Sequence, residues 1–219
     1  MGATGHDGDD ALRPRFARGR SFVSRAGVDD QASTSIEAAI VNRAQGGDHE
    51  AFGSIVSGSI DRLFALAVLI TRDTALAEDA VQAALITAWT ELRTLRDPSR
   101  FEPWLHRILT NACYAEARRR KRWSEGLRIL PVAGAYGPDE YLTVDDRDLL
   151  ERAFRRLTVE QRAVLVFHHF LGLSISEVAA RTGLPVGTAK SRLHHATRAL
   201  KASIEADARA IPPSQERLA

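Results

Sequence analysis

Between Leu184 and Leu200 the chain reads LPVGTAKSRLHHATRAL. Thr188, Lys190, Ser191, Arg192, His194, His195 and Arg198 in this run all carry groups that bond phosphate oxygens or base edges. Val186, Ala189, Leu193, Ala196 and Leu200 recur at intervals of three and four, which predicts a helix with one apolar stripe and puts the polar group on its other side and flanks. No acid falls on this helix before Glu205, so the face has one sign. Solvated charged faces are common on soluble helices, but a face of a single sign suits reversible binding of a polyanion.

A second cationic series lies upstream. On Phe101 to Arg122 the apolar stripe is Phe101, Trp104, Leu105, Ile108, Ala112 and Ala115, and the reverse side lines up Arg107, Thr110, Asn111, Tyr114, Arg118 and Lys121. Arg118 to Arg122 is an unbroken cationic run. A helix macrodipole explains one or two cations at a helix end, not five in succession. Cations that neutralise phosphates, an amide for a base edge and a ring for stacking together suit nucleic acid.

The elements that position these residues follow from caps and breakers. Thr158-x-x-Gln161 and Ser174-x-x-Glu177 have capping-box spacing, and Gly172 and Gly183 fit the matching helix stops. A helix over Ser174 to Thr182 with small Ala179 at its contact point, a glycine turn at Gly183 and a second helix begun by Pro185 make a helix-turn-helix. From Ser35 to Arg122 about four helices are predicted, with turns at Gly46-Gly47-Asp48, Thr71 to Thr74 and Asp97-Pro98-Ser99. One of them, about Ala75 to Leu92, has a core stripe of Leu76, Ala80, Ala84, Leu85, Ala88 and Leu92. Its outer face carries Asp79, Gln82, Ala83, Ile86 and Thr90. An outward isoleucine framed by an acid and an amide reads as a contact surface for another protein. The expected fold is all-α: two small helical domains, 35–122 and 146–206, joined by a flexible linker at 123–145. A disordered N-terminal tail occupies 1–34 and a C-terminal tail 207–219.

Composition narrows the function. The chain has 219 residues, 44% hydrophobic, and 30 Lys plus Arg against 28 Asp plus Glu leave a formal charge of only +2, so a polyanion must be met by local clusters. Cys113 stands alone, which excludes an internal disulfide and a cysteine zinc site. The longest apolar run, Leu63 to Ile70, is far short of a membrane span and the N-terminus lacks a secretion core, so a cytoplasmic protein without membrane insertion is expected. Adjacent histidines, His168-His169 and His194-His195, point about 100° apart on a helix and have no carboxylate at ligand spacing. With no phosphate-cradling glycine loop and no nucleophile motif, neither an enzyme nor a metal or cofactor is expected.

AEDAVQAALITAW (Ala77 to Trp89), RFEPWLHRILTNACYAEARRRKR (Arg100 to Arg122) and LTVEQRAVLVFHHFLGLSISEVAARTGLPVGTAKSRLHHATRAL (Leu157 to Leu200) together resemble the extracytoplasmic-function sigma factors of the sigma-70 family of bacterial RNA polymerase. The likeness covers roughly 36–205, omitting the linker. It implies a factor that binds core RNA polymerase and directs initiation at the −35 and −10 promoter elements. By that resemblance Asp79, Gln82 and Ile86 contact the clamp coiled coil of the largest polymerase subunit, Trp89 packs the first module, and the second module meets the flap region. Leu95, Arg96, Asp97, Arg100 and Phe101 correspond to the loop that captures a base flipped out of the −10 element, with Asn111 beside it. Arg107, Thr110, Tyr114, Arg118, Lys121 and Arg122 follow the melted strand, and Thr188, Lys190, Ser191, Arg192, His194, His195 and Arg198 fall where the family reads the −35 element. Exposing the bases costs about a few kcal/mol, offset by protein contacts. An anti-sigma partner is also implied. Two departures stand out: Ala83 replaces a usual acid, and His194-His195-Ala196-Thr197 replaces a more cationic run, so a protonated His195 is expected to strengthen promoter binding as pH falls. The alternative is a stand-alone helix-turn-helix regulator, whose first domain would sense a ligand rather than offer a basic strand-binding helix.

Overall fold

The computed structural model describes residues 38–127 and 144–210; the tail at 1–34, the linker between 128 and 143 and the end of the chain from 211 lie outside them. The described residues form eight helices: α1 (38–45), α2 (His49–Thr71), α3 (Thr74–Glu91), α4 (Phe101–Leu127), α5 (Val144–Arg155), α6 (Val159–Leu165), α7 (Ile175–Thr182) and α8 (Val186–Ala210). Two 3-10 turns, Leu92–Thr94 and Pro98–Arg100, lead into α4, and α6 runs on into a π turn at Val166–Phe170. Helix α4 extends past the expected boundary at Arg122 because nothing between Trp123 and Glu125 breaks a helix, and Gly126 is tolerated in its last turn.

Local chemistry sets the starts and stops. Asp48 and Asp73 cap α2 and α3 by accepting from the Ala51 and Leu76 amides. Both predicted capping boxes form, Thr158 with Gln161 on α6 and Ser174 with Glu177 on α7. The Ser174 hydrogen bonds hold the Glu177 carboxyl below the usual carboxylate range. Gly172 and Gly183 take the left-handed conformation at φ 68° and 70°, where a side chain would be strained.

In the first module Leu63, Leu66 and Ile70 of α2 pack on the Ala77, Ala80, Ala84 and Ala88 row of α3 and on Leu105, Leu109 and Cys113 of α4. The α3 stripe is turned slightly from the sequence expectation: Ala77 and Val81 are buried while Leu76 and Leu85 are only half-buried, because the small residues occupy the line of closest approach. Burial pushes the Cys113 thiol up to about 12, which leaves it inert. Helix α2 as a whole, with mean hydropathy 1.6 over its most apolar window, is long and apolar enough by length and composition to cross a membrane, a property not visible from Leu63 to Ile70 alone. Here it is a bundle helix with Asp61 and Arg62 exposed.

The second module closes around Phe167, Val164, Val178, Ala189 and Ala196. Arg156 fastens α5 to the far end of α8, donating to Ser203 Oγ at 2.8 Å and Asp207 Oδ1 at 2.7 Å.

Two helical modules form as expected, and they pack against each other. Arg162 of α6 is buried and donates to the Ile70 carbonyl at 2.6 Å and the Thr71 carbonyl at 3.2 Å, the last carbonyls of α2, while also reaching the Leu157 carbonyl at 2.9 Å. Arg72, just past α2, pairs with Glu151 of α5 and lies 5.6 Å over the Phe154 ring. On α4 His106 accepts from Arg181 Nε of α7 at 3.2 Å, its ring 5.7 Å from Phe167. Arg181 also lies 3.9 Å from Glu102.

Burial, reinforced by Arg181 and Arg62, holds His106 down to about 4 from its usual 6.5. The depressed value means that only the neutral ring is accepted. Packing at this point is therefore at full strength above about 6.5 and weakens as pH falls toward about 4. Urea midpoints of the parent chain are expected to drop across this range, and to drop less in His106→Gln. Ser174→Ala, which removes the α7 cap, is expected to lower stability by about 1 kcal/mol in the same measurement at neutral pH.

Candidate nucleic-acid interface

The helix-turn-helix forms as its spacing predicts. Ala179 is buried where α7 meets α8, the Leu184 amide bonds back to the Ala179 carbonyl at 3.0 Å across Gly183, and α8 begins after Pro185, whose carbonyl accepts from Ala189 at 2.9 Å. Ala189, Leu193 and Ala196 are buried, Leu200 is half-buried, and Val186, expected in the same stripe, is 52% exposed because it precedes the part of α8 that packs.

Thr188, Lys190, Ser191, His194, His195 and Arg198 are exposed together on α8, with Arg192 half-buried at their edge. Ser191 Oγ donates to the Thr188 carbonyl at 3.1 Å, and its lone pairs face outward as acceptors. Beside them a shallow groove of about 460 Å³ is lined by Thr188, Ser191, Arg192 and His195 from α8 and by Thr158, Glu160 and Gln161 from the start of α6. Glu160 is the acid in that groove.

Helix α4 keeps Arg107, Asn111, Arg118, Lys121 and Arg122 exposed. The neighbouring cations are engaged elsewhere: Arg119 bonds Asp79 of α3 at 3.1 Å and Glu116 at 2.7 Å, and Arg120 pairs with Asp73. Three residues of the expected −10 set, two from the strand-following helix and one from the base-capturing loop, are not on the surface. Thr110 is fully buried and donates to the His106 carbonyl at 2.8 Å. Phe101 is a core residue stacked at a tilt 5.8 Å from Trp104. Tyr114 is buried, and the second-module side chains Arg192 and Glu160 act on its phenol; burial raises it above its ordinary range while the Arg192 cation opposes that. Ala115 is exposed rather than buried. Phe101 is buried as the apolar stripe predicts, whereas Thr110, Tyr114 and Ala115 differ from it for one cause: α4 is covered on two sides, by α2 and α3 and again by α6 and α7, so its buried sector is wider and rotated from a single stripe.

The loop before α4 leaves Arg96, Asp97 and Arg100 exposed and Leu95 half-buried. Gln45 of α1 pins it by donating to the Leu92 carbonyl at 2.9 Å and the Leu95 carbonyl at 2.7 Å. Asp97 closes it by accepting from the Ser99 amide at 3.1 Å and hydroxyl at 2.6 Å. On the outer face of α3, Asp79 and Gln82 are exposed and Ile86 is 59% exposed, while Trp89 packs on His49 and Phe52 with ring centroids at 4.7 and 4.9 Å. His168 is structural: its Nδ1 lies 2.7 Å from the Leu173 carbonyl.

Sequence reasoning missed the residues that join the modules, Arg72, His106, Glu151, Arg162 and Arg181. A signal existed for two of them. Arg162 falls among Val159, Ala163 and Leu165, and Arg181 lies three residues after Val178, so both cations sit on apolar stripes where a solvated charge does not belong.

Two families match this chain, Sigma-70 region 2 over residues 56–123 and Sigma-70, region 4 over residues 147–200. Among curated relatives, the ECF RNA polymerase sigma factor SigL of Mycobacterium tuberculosis is 34% identical over 147 residues, covering 65% of this chain and 82% of that one. SigM of the same organism is 35% identical over 148 residues, covering 67% and 73%. SigW of Bacillus subtilis is 26% identical over 173 residues, covering 74% and 92%. Solved structures are similar as well, two of them as follows. The sigma factor RpoE of Bartonella quintana, solved with the anti-sigma factor NepR, has TM-score 0.58 and 28% identity over 71% of this chain and 98% of that one. CnrH, solved with the cytosolic domain of CnrY, has TM-score 0.55 and 26% identity over 78% and 98%. The two cationic helices and the helix-turn-helix thus belong to the matched regions 2 and 4, and the chain is a member of the extracytoplasmic-function sigma factors, initiation factors rather than enzymes, that direct RNA polymerase to promoters.

Proposed function

We propose a division of this work among three surfaces. The exposed face of α8, Thr188, Lys190, Ser191, Arg192, His194, His195 and Arg198, reads the −35 element in the major groove, with the adjoining groove at the start of α6 following the phosphate backbone. Arg107, Asn111, Arg118, Lys121 and Arg122 of α4 take the non-template strand of the −10 element, and the Arg96, Asp97 and Arg100 loop receives the flipped base. Asp79, Gln82 and Ile86 on α3 dock the clamp coiled coil of the largest polymerase subunit, and the second module meets the flap region. The observation that carries this reading is exposure on three separate helices: Lys190, Ser191, His194, His195 and Arg198 stand outward on α8, Arg107, Asn111 and Arg118 on α4, and Asp79, Gln82 and Ile86 on α3.

An anti-sigma protein as a further partner is supported by the NepR and CnrY complexes of the two similar structures. A cytoplasmic location follows from these partners.

Reconstituted initiation on a promoter duplex selected from a random library by the holoenzyme tests the assignment. Lys190→Ala with Arg192→Ala is expected to weaken promoter binding and to flatten the dependence of log affinity on log salt by about 0.9 for each phosphate no longer neutralised. Gln82→Ala with Ile86→Ala, which leaves the Asp79–Arg119 pair in place, is expected to reduce association with core polymerase while leaving the affinity of the isolated chain for DNA unchanged. The reverse pairing of effects overturns the assignment.

A further inference from the structure

We propose that Trp123, near the end of α4, is a second anchor for RNA polymerase: the docking surface runs from Ile86 on α3 across the Asp79–Arg119 pair to this indole, and one partner covers both ends. The inference deepens the reading of α3 as the polymerase-docking face and rests on it.

Among the described residues of the first module, the large apolar side chains that meet solvent are Ile60, Ile86 and Trp123, and the last two are the most open, at 59% and 72% exposed. Helices α3 and α4 run antiparallel, joined directly by the loop between them, so the end of α4 lies beside the start of α3. Arg119 bonds Asp79 there at 3.1 Å, with side chains 61% and 50% exposed, so the pair stays at the surface. Ile86 follows Asp79 by two helical turns on the same face of α3, about 10 Å away. Trp123 follows Arg119 by one turn on the same face of α4, about 6 Å away in the opposite direction. Gln82 is exposed between Asp79 and Ile86. An isoleucine and an indole thus flank a polar middle over roughly 15 Å, about three turns of helix.

Charge and geometry decide between a protein and a nucleic acid as the occupant. Arg119 and Arg120, the neighbours of Trp123 one turn back on α4, are paired with Asp79 and Asp73, so acids offset the charge beside the indole. Arg107, Asn111, Arg118, Lys121 and Arg122, assigned to the −10 strand, lie roughly 100–160° around the helix from Trp123. A strand held by those side chains runs along another side of α4. Tryptophan and arginine are the residues that most often carry the energy of protein–protein contacts, and an exposed ion pair between two apolar anchors fixes register more than affinity. The partner that fits is a helical surface with an apolar notch for an indole, about three turns from the notch that receives Ile86. Occupying both ends ties the helix that docks polymerase to the helix that meets DNA.

Selective fluorescence of the full chain tests this anchor. The three tryptophans are replaced during synthesis by 5-hydroxytryptophan, which is excited at wavelengths where the tryptophans of polymerase are silent. Trp104 is buried and Trp89 half-buried, so the component most open to acrylamide belongs to Trp123 and is lost in Trp123→Phe. Core polymerase is expected to shield that component. The selected promoter with a pre-melted −10 segment, added without polymerase, is expected to leave it open. Trp123→Ala is expected to weaken association with core polymerase by about ten- to thirtyfold with the affinity of the isolated chain for DNA unchanged, and Trp123→Phe by about threefold or less. An indole that stays open to acrylamide in the complex, or an alanine variant that binds core polymerase as tightly as the parent, overturns the proposal. Shielding by DNA alone also overturns it and assigns the ring to the strand. The docking reading of α3 is scored separately: if Gln82→Ala with Ile86→Ala does not weaken association while Trp123→Ala does, that reading fails and the contact at Trp123 stands.

Discussion

A guanidinium withdrawn from water has to be surrounded by acceptors, and Arg162 finds them where helices end. The terminal carbonyls of α2 have no partners within their own helix, and those at Ile70 and Thr71 receive Arg162 while Leu157 holds it from the second module. Each hydrogen bond from a charged donor is worth about 1.5–3 kcal/mol, enough to fix the orientation of α6 against the end of α2. Helices α7 and α8 follow α6 through short turns. Where α8 lies relative to α4 thus depends on one buried cation and on carbonyls that would otherwise lack partners, together with the Arg72–Glu151 and Arg181–His106 links.

Around that anchor the protein sorts its charges. Bases and acids nearly cancel over the whole chain, yet they are not mixed. Asp73 and Asp79 engage Arg120 and Arg119, Asp207 holds Arg156, and Glu151 takes Arg72. What remains outward on α8 ahead of Glu205 is cationic or neutral, and on α4 Arg107, Arg118 and Arg122 face solvent. Structural pairing therefore engages several acids with cations inside the modules, while Glu160 and Asp97 stay beside the proposed DNA faces. A focused field of this kind attracts a polyanion although the net charge is small.

The same economy governs the helix-turn-helix. Capping boxes fix where α6 and α7 begin, Gly183 provides the left-handed turn and Ala179 the close approach, so the angle of α8 is set by backbone chemistry before any DNA is present. That rigidity makes the half-buried state of Arg192 informative: it reflects the position of α4 against the second module rather than a loose recognition helix.

Helix existence, both capping boxes, the glycine stops, the outward Ile86 and the exposed sets on α8 and α4 could all be read from the chain, because each depends on residues within a few positions of one another and on the helical period. Arg107, Asn111, Arg118, Ser191 and His194 are exposed where that period puts them. The burial of Thr110 and Tyr114 could not be read, since a one-stripe rule assumes one packed side and α4 has two, whereas Phe101 is buried as its place in that stripe predicts and against the role the family resemblance gave it. The contact between the modules was equally hidden: Arg162 and Ile70, or Arg181 and His106, are far apart along the chain, and no local pattern reports which distant acceptor a cation will find. Sequence alone settled the elements and the chemistry they carry, for local hydrogen bonds and periodicity suffice for that. Tertiary packing decided which of those groups meet solvent and which meet each other, because burial depends on everything that covers a surface and not only on the helix that bears it.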